Sequence, residues 1–159
     1  MAGSEGKQVN ESGKVVLRNA ELEDLPGILR VEKAAFTSPW TETAFRNELV
    51  LNEFAAYIVI ELDAVIIGYA GIWLILDEGH ITNIAIHPEQ QGNHYGELLL
   101  RELMQQAEMA GVTHMTLEVR VSNQKAQNLY KKLHFEPGAI RKNYYPDNHE
   151  NALVMWVDL

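Results

Sequence analysis

Between Phe54 and His87 the chain places three β-rich runs in succession, Phe54 to Ile60, Val65 to Ile75 and His80 to His87, with no helical stretch between them. The first two are joined around Leu62-Asp63 and read as a hairpin; the third is ended by Pro88. Strands that follow one another before helices intervene exclude a doubly wound parallel sheet and point to a mixed α/β fold.

The flanks complete the order. Val15-Val16-Leu17-Arg18 reads as a first strand. Glu21 to Phe36 reads as a helix, with Asp24 near its start, Pro26 in its first turn, and Ile28, Leu29, Val31 and Ala35 at helical spacing. Ser38-Pro39-Trp40-Thr41 breaks it, and Thr41 caps a short helix through Leu49. Beyond Pro88, Gly92 to Gly96 forms a loop, and Leu99, Leu103, Ala107 and Ala110 mark one face of a helix ending at Gly111. Met115, Leu117 and Val119 alternate on a strand, so Thr116, Glu118 and Arg120 face the other way. Ser122-Asn123 caps a helix carrying Ala126, Leu129, Tyr130 and Leu133. Closing strands lie near Ala139-Ile140-Arg141 and Ala152 to Val157, separated by the polar loop Tyr144 to Asn151. The predicted order is β-α-α-β-β-β-α-β-α-β-β. Residues 14–159 are expected to form a single domain behind a flexible tail, residues 1–13, made mostly of Gly, Ser, Glu, Lys and Asn without an apolar segment.

Composition removes several classes of function. A net charge of -9 argues against a nucleic-acid binder and suits a partner with a cationic end. Without cysteine there is no disulfide, thiolate metal site or thiol nucleophile, and the six histidines lack metal-ligand spacing, so no metal is expected. His80, His87, His114 and His149 read as structural or solvated, and Trp73 and Trp156 as core. No run approaches the ~20 apolar residues of a membrane helix, and no secretory signal opens the chain, so a cytoplasmic protein without a membrane partner is expected.

A strand, Pro, Gly-rich loop and helix in that order can bind phosphate, because a helix N-terminus offers unpaired N–H groups and partial positive charge. Gln91-Gly92-Asn93-His94-Tyr95-Gly96 supplies two glycines for close approach. On loop chemistry alone, a helix start with nothing bound is the commoner outcome.

Asn83-Ile84-Ala85-Ile86-His87-Pro88-Glu89, the loop after it, Leu117-Glu118-Val119-Arg120-Val121-Ser122-Asn123, and Ala126 through Phe135 resemble the GNAT superfamily of N-acetyltransferases. Phe36-Thr37-Ser38-Pro39-Trp40, Arg141-Lys142-Asn143-Tyr144-Tyr145 and Ala152-Leu153-Val154-Met155 extend the likeness to its RimI-type ribosomal-protein alanine N-acetyltransferases, from Val16 to the C-terminus. The resemblance implies one mixed, mostly antiparallel sheet with a V-shaped split between two parallel strands, here those at Ile84 and Leu117, flanked by helices. It implies acetyl-coenzyme A as cosubstrate. The pantetheine would pair with backbone at Ile84, Ala85 and Ile86, and the diphosphate would lie on amides of Gln91, Gly92, Asn93, His94, Tyr95, Gly96 and Glu97, with Asn123 reaching the pantetheine arm. Two departures stand out: His94 and His134 occupy positions where the family has glycine, so a positive φ kept there would cost about 1 kcal/mol each.

Acetyl transfer needs a neutral amine. An α-amine, with a pKa of about 7.7–8.0, is roughly a tenth neutral at pH 7, whereas a lysine at about 10.4 is neutral in fewer than one molecule in about a thousand. By resemblance Glu118 is the catalytic base and Tyr130 the acid for the departing thiolate. By periodicity alone Glu118 would be a solvent-facing acid near Arg120, and Tyr130 one member of a core stripe. Trp40, Tyr144 and Tyr145 are expected along the peptide groove, with loop packing as their alternative. The implied acceptor is the N-terminal alanine of a small-subunit ribosomal protein, attacked directly in a ternary complex. Other N-termini, a lysine or a small amine are competing acceptors, and a coenzyme-binding module without catalysis is the competing class.

Overall fold

The computed structural model describes residues 13–159; the tail expected over residues 1–13 lies, but for Gly13, outside them. The elements follow the expected order: β1 (Val15–Asn19), α1 (Leu25–Ala35), α2 (Glu42–Val50), β2 (Ala55–Leu62), β3 (Val65–Ile75), β4 (Glu78–Ile86), α3 (Tyr95–Met109), β5 (His114–Arg120), α4 (Gln124–Lys132), β6 (Glu136–Arg141) and β7 (Ala152–Asp158). The strands make one sheet in the order β1-β2-β3-β4-β5-β7-β6, antiparallel except where β4 meets β5.

Alternation along the strands divides the interior in two. On one face, Met115, Leu117 and Val119 of β5 join Leu99, Leu100 and Leu103 of α3 and Tyr130 of α4. On the other, Ile28 and Val31 of α1 and Phe45 of α2 pack on Tyr57, Val59 and Tyr69. Four expectations shift in detail. The first helix begins as a short 3-10 turn at Leu22–Asp24, where the Asp24 carboxylate is held by Arg18 at 2.8 Å and by the Glu21 N–H at 2.7 Å. Ala110 is exposed at the end of α3, and Leu100 is buried in its place, because a 15-residue helix buries a face wider than one stripe. Trp156, expected in the core, is 38% exposed, since it lies on the face of β7 opposite Met155 and Val157. Trp73 is half-buried, its indole N–H bonded to Glu48 at 2.8 Å.

The split lies between β4 and β5. Their parallel pairing covers only Glu78 with His114, Gly79 with Met115 and His80 with Thr116. In the ladder with β3, Ile81 lies opposite Ile72 and Asn83 opposite Gly71, which leaves Thr82 as an extra residue. A bulge of this kind bends and twists its strand, and here it comes just after the last paired residue. Past it, Ile84, Ala85 and Ile86 still pair with β3 but not with β5.

Left-handed residues follow the C-terminal ends of α3 and α4. α4 closes with bonds from the Phe135 N–H to Tyr130 at 2.9 Å and from the His134 N–H to Lys131 at 3.0 Å. This is the Schellman arrangement, with the rings of Tyr130 and Phe135 5.9 Å apart. His134 occupies its left-handed position at φ 76°, where α3 uses Gly111 at φ 93°. Replacing His134 by glycine removes the Cβ conflict at some cost in unfolded-state entropy. The His134→Gly variant should be about 0.5–1 kcal/mol more stable by chemical denaturation; a less stable variant would mean that the imidazole makes compensating contacts.

Candidate active site

Glu118 projects from β5 on the face away from Leu117 and Val119 and is half-buried. Across the last paired rung, His80 of β4 comes within 2.8 Å of its Oε1 through Nε2, and Arg141 lies 3.5 Å from Oε2. Burial alone would raise the carboxyl. The bond and charge of His80, together with Arg141 and Tyr144, outweigh that, and the balance holds Glu118 below the ordinary carboxylate range. It is an anion at neutral pH.

His80, expected to be structural or solvated, is the partner of Glu118 that spacing does not reveal. Its partner lies 38 positions along the chain, beyond any local spacing pattern. The usable signal was alternation: His80 and Glu118 both occupy outward-facing positions, and one parallel register makes them neighbours. Arg120, by contrast, is not the partner of Glu118. Its guanidinium bonds Asp147 at 2.9 Å and Glu150 at 3.1 Å and lies 4.0 Å over the ring of Tyr145. It thereby ties the loop between β6 and β7 to β5. Tyr144 and Tyr145 sit edge to face at 5.0 Å, and Tyr145 is pushed up to about 12 by burial against the pull of Arg120. Thr37 Oγ1 donates to Asp147 at 3.1 Å, so the loop between α1 and α2 touches the same structure. Trp40 stands on that first loop, its ring 5.2 Å from Phe45 and its backbone N–H donating to Glu32 at 2.9 Å, which is the geometry of loop packing.

The open side of the split is a cavity of about 550 Å³. Ile84, Ala85 and Ile86 form one wall; Gln91, Gly92, His94, Tyr95, Gly96 and Glu97 form the floor; Asn123, Ala126, Leu129 and Tyr130 form the far side. Asn93 is not on its wall; its amide donates to the Gln90 carbonyl at 3.2 Å and braces the loop from behind. Gly92 at φ 87° and His94 at φ 64° give the loop its left-handed turns, so His94 keeps the backbone that glycine would supply. The Gln91 amide donates to the Ile86 carbonyl at 3.3 Å, on the strand that forms the cavity wall. Asn123 caps α4, accepting from the Ala126 N–H at 3.0 Å, and still lines the cavity.

Charge in this floor favours an anion. Glu97 is the one acid of the first turn of α3, and Lys132 at 2.8 Å and Arg101 at 2.9 Å neutralise it. The positive end of the helix is therefore not cancelled. At the inner end Tyr130 is 6% exposed, lines the cavity, and has no hydrogen-bond partner for its hydroxyl among the described residues. Burial pushes this phenol well above its ordinary value. A buried hydroxyl without a partner costs about 1–3 kcal/mol, and on a cavity wall such a group is open to a partner from the cavity. Glu118 and Tyr130 belong to opposite faces of the sheet, and the split is where those faces meet. Among the described residues no group of three His, Cys, Asp or Glu side chains is placed to hold a metal ion, and no helix is long and apolar enough to cross a membrane.

A free strand edge, an amide-lined anion site and a carboxylate on the far side suit a transferase that carries an acyl group from a long, phosphate-tailed donor to an amine. Comparison with known proteins narrows this class. The chain belongs to the acetyltransferase (GNAT) family, whose sequence profile matches residues 25–135. It is 49% identical over 146 residues to a Bacillus subtilis protein provisionally named a ribosomal protein bS18-alanine N-acetyltransferase, covering 92% of this chain and 97% of that one. It is 35% identical over 143 residues to the ribosomal protein bS18-alanine N-acetyltransferase of Escherichia coli K12, covering 87% and 94%. The crystal structure of the ribosomal-protein-S18-alanine N-acetyltransferase from Escherichia coli superposes with a TM-score of 0.85 at 32% identity, covering 91% of this chain and 94% of that one.

Because the Glu118 pKa is lowered on folding, its carboxylate adds stability above the unfolded value, and the contribution is lost as pH falls through the folded value. In His80→Phe the burial effect loses its main opponent. The Glu118 pKa, read by carbon NMR of the side-chain carboxyl, should rise relative to the parent; an unchanged titration would mean that His80 does not set it.

Proposed function

We propose that the protein transfers the acetyl group of acetyl-coenzyme A to the N-terminal α-amine of a ribosomal protein, with the alanine of bS18 as the acceptor. The single observation that carries this reading is the split sheet with Glu118 on one side and the unpartnered Tyr130 hydroxyl on the other. The names of the two relatives and of the Escherichia coli structure supply the acceptor.

In this reading the free edge at Ile84, Ala85 and Ile86 holds the pantetheine arm as an added strand. Amides from Gly92 to Glu97 hold the diphosphate, and the His94 imidazole stands beside them as a further contact. Asn93 supports the loop from behind. A backbone N–H on the β4 edge polarises the thioester carbonyl, a task that needs no side chain. The acceptor enters from the opposite side, between the loop after α1 and the loop carrying Tyr144 and Tyr145, with Trp40 behind the first of these.

The nitrogen of the neutral amine forms a bond to the carbonyl carbon, the carbon–sulfur bond breaks, and the proton of the amine goes to Glu118 directly or through one water. His80 and Arg141 keep that carboxylate ionised and oriented. A modest base is sufficient, because roughly a tenth of an α-amine is already neutral at pH 7. Tyr130 donates a hydrogen bond to the departing sulfur. With its pKa raised by burial, full proton transfer to a thiolate near 8.5 is uphill by more than about 1.5 units, so its effect is that of a hydrogen-bond donor. No covalent intermediate on the protein is involved.

Incubation with acetyl-coenzyme A and peptides differing only in their first residue, read by mass spectrometry, should place the acetyl group on the α-amine of the alanine peptide; acetylation confined to lysine side chains would overturn the acceptor. Glu118→Gln should lose more turnover at about pH 6.5 than at about pH 9, where the free amine is abundant. Equal losses at both would remove Glu118 as the base. Tyr130→Phe should bind acetyl-coenzyme A nearly as the parent does and transfer more slowly, and full activity would return the ring to a purely packing role.

A further inference from the structure

Glu32 is a carboxylate that the reaction above does not use, and it is only 3% exposed. Among the described residues it is in no ion pair. One oxygen accepts from the Tyr69 hydroxyl and the other from the Trp40 backbone N–H at 2.9 Å. A charge taken out of water without a cation is expensive, and an apolar residue of the same size would serve packing better. What the carboxylate does is connect two parts of the molecule. Trp40 belongs to the loop between α1 and α2, one lip of the acceptor entrance. Tyr69, fully buried on β3, also receives the Asn83 amide at 3.3 Å. Asn83 lies just after the Thr82 bulge and one residue before the Ile84–Ile86 edge, and its carbonyl oxygen accepts from Tyr57 at 3.2 Å and from Thr82 at 2.9 Å. Gly71 makes room for this: a Cβ there would run into the Tyr57 ring. The polar chain therefore runs from the acceptor lip, through Glu32 and Tyr69, to the strand that forms the donor wall.

We propose that Glu32 is a positioning residue for the acceptor, holding the Trp40 loop at a fixed height against β4 so that the incoming amine meets the thioester in register. This rests on the acceptor entering between the two loops, as set out above. Tyr69 is suited to the link: burial first, and then the neighbouring carboxylate charge, push its phenol far above the ordinary value, so its hydroxyl remains a donor at every working pH. Acceptor affinity is where the effect should fall. Lengthening the distance between lip and edge weakens the hold on the peptide while leaving Glu118, Tyr130 and the diphosphate loop in place.

The test compares Glu32→Leu, Glu32→Gln and Tyr69→Phe with the parent, using an alanine N-terminal peptide and acetyl-coenzyme A. Glu32→Leu should raise the peptide KM about tenfold, with kcat and the acetyl-coenzyme A Kd within about twofold. Glu32→Gln, whose carbonyl can still accept from Trp40, should recover most of that loss. Hydrogen exchange at the Trp40 amide should quicken about tenfold or more in Glu32→Leu, while amides of α3 keep their protection. A folded Glu32→Leu with the parent's KM would overturn the proposal, as would losses of KM, kcat and coenzyme affinity that fall together with thermal stability. If Glu32→Leu does not fold, Tyr69→Phe carries the same comparison. A parent enzyme that acetylates no N-terminal peptide would sink the acceptor reading alone. Exchange at Trp40 would then still decide whether Glu32 holds the lip, and unchanged protection would refute it.

Discussion

Three rungs of parallel pairing, Glu78 to His80 against His114 to Thr116, hold the two halves of the sheet together, and what stops at the third rung makes the cleft. Had pairing continued, Ile84 to Ile86 would have spent their free backbone groups on β5, and the cavity would not exist. Had it not begun, nothing would hold His80 next to Glu118. The Thr82 bulge stands at that transition. It falls two residues past His80, so the paired side of the bulge keeps His80 beside Glu118 and the unpaired side opens the cavity.

Much of this was legible in the chain. The succession of β-rich runs, the Pro and Gly punctuation and the alternation around Glu118 gave the element order and the mixed sheet, because local propensity and periodicity decide those. The cavity wall at Ile84 to Ile86 and the floor from Gly92 to Glu97 came forward only through the family resemblance, since loop chemistry alone favours a helix start with nothing bound. His80 and Glu32 did not. Each takes its meaning from a partner on another element, and no periodicity within one segment encodes which rung faces which. The fate of Arg120 is the same lesson inverted: neighbours two apart on a strand share a face, yet the loop carrying Asp147 and Glu150 offered the guanidinium closer oxygens than Glu118 does.

The two histidines at glycine positions illustrate a different limit. Sequence could say that a side chain at His94 or His134 would sit badly in a left-handed turn, but not whether the turn would persist. It persists at both, with φ of 64° and 76°. At His134 the reason is visible: the Schellman bonds and the contact between Tyr130 and Phe135 fix the helix end, and the backbone keeps its path despite the strained residue. The same contact orients the ring that lines the cavity, which links a helix terminus to the position of the phenol.

The free edge of β4 has a consequence for the life of the protein outside catalysis. Unpaired backbone in the middle of a sheet is a template that any extended chain can add to, the hazard that native folds usually confine to covered or charged margins. A donor molecule lying along it is then also a plug. Whatever binds only the folded form adds stability that grows as the logarithm of one plus its concentration over its Kd, so a ligand lying along this edge would steady the fold as well as cover the edge.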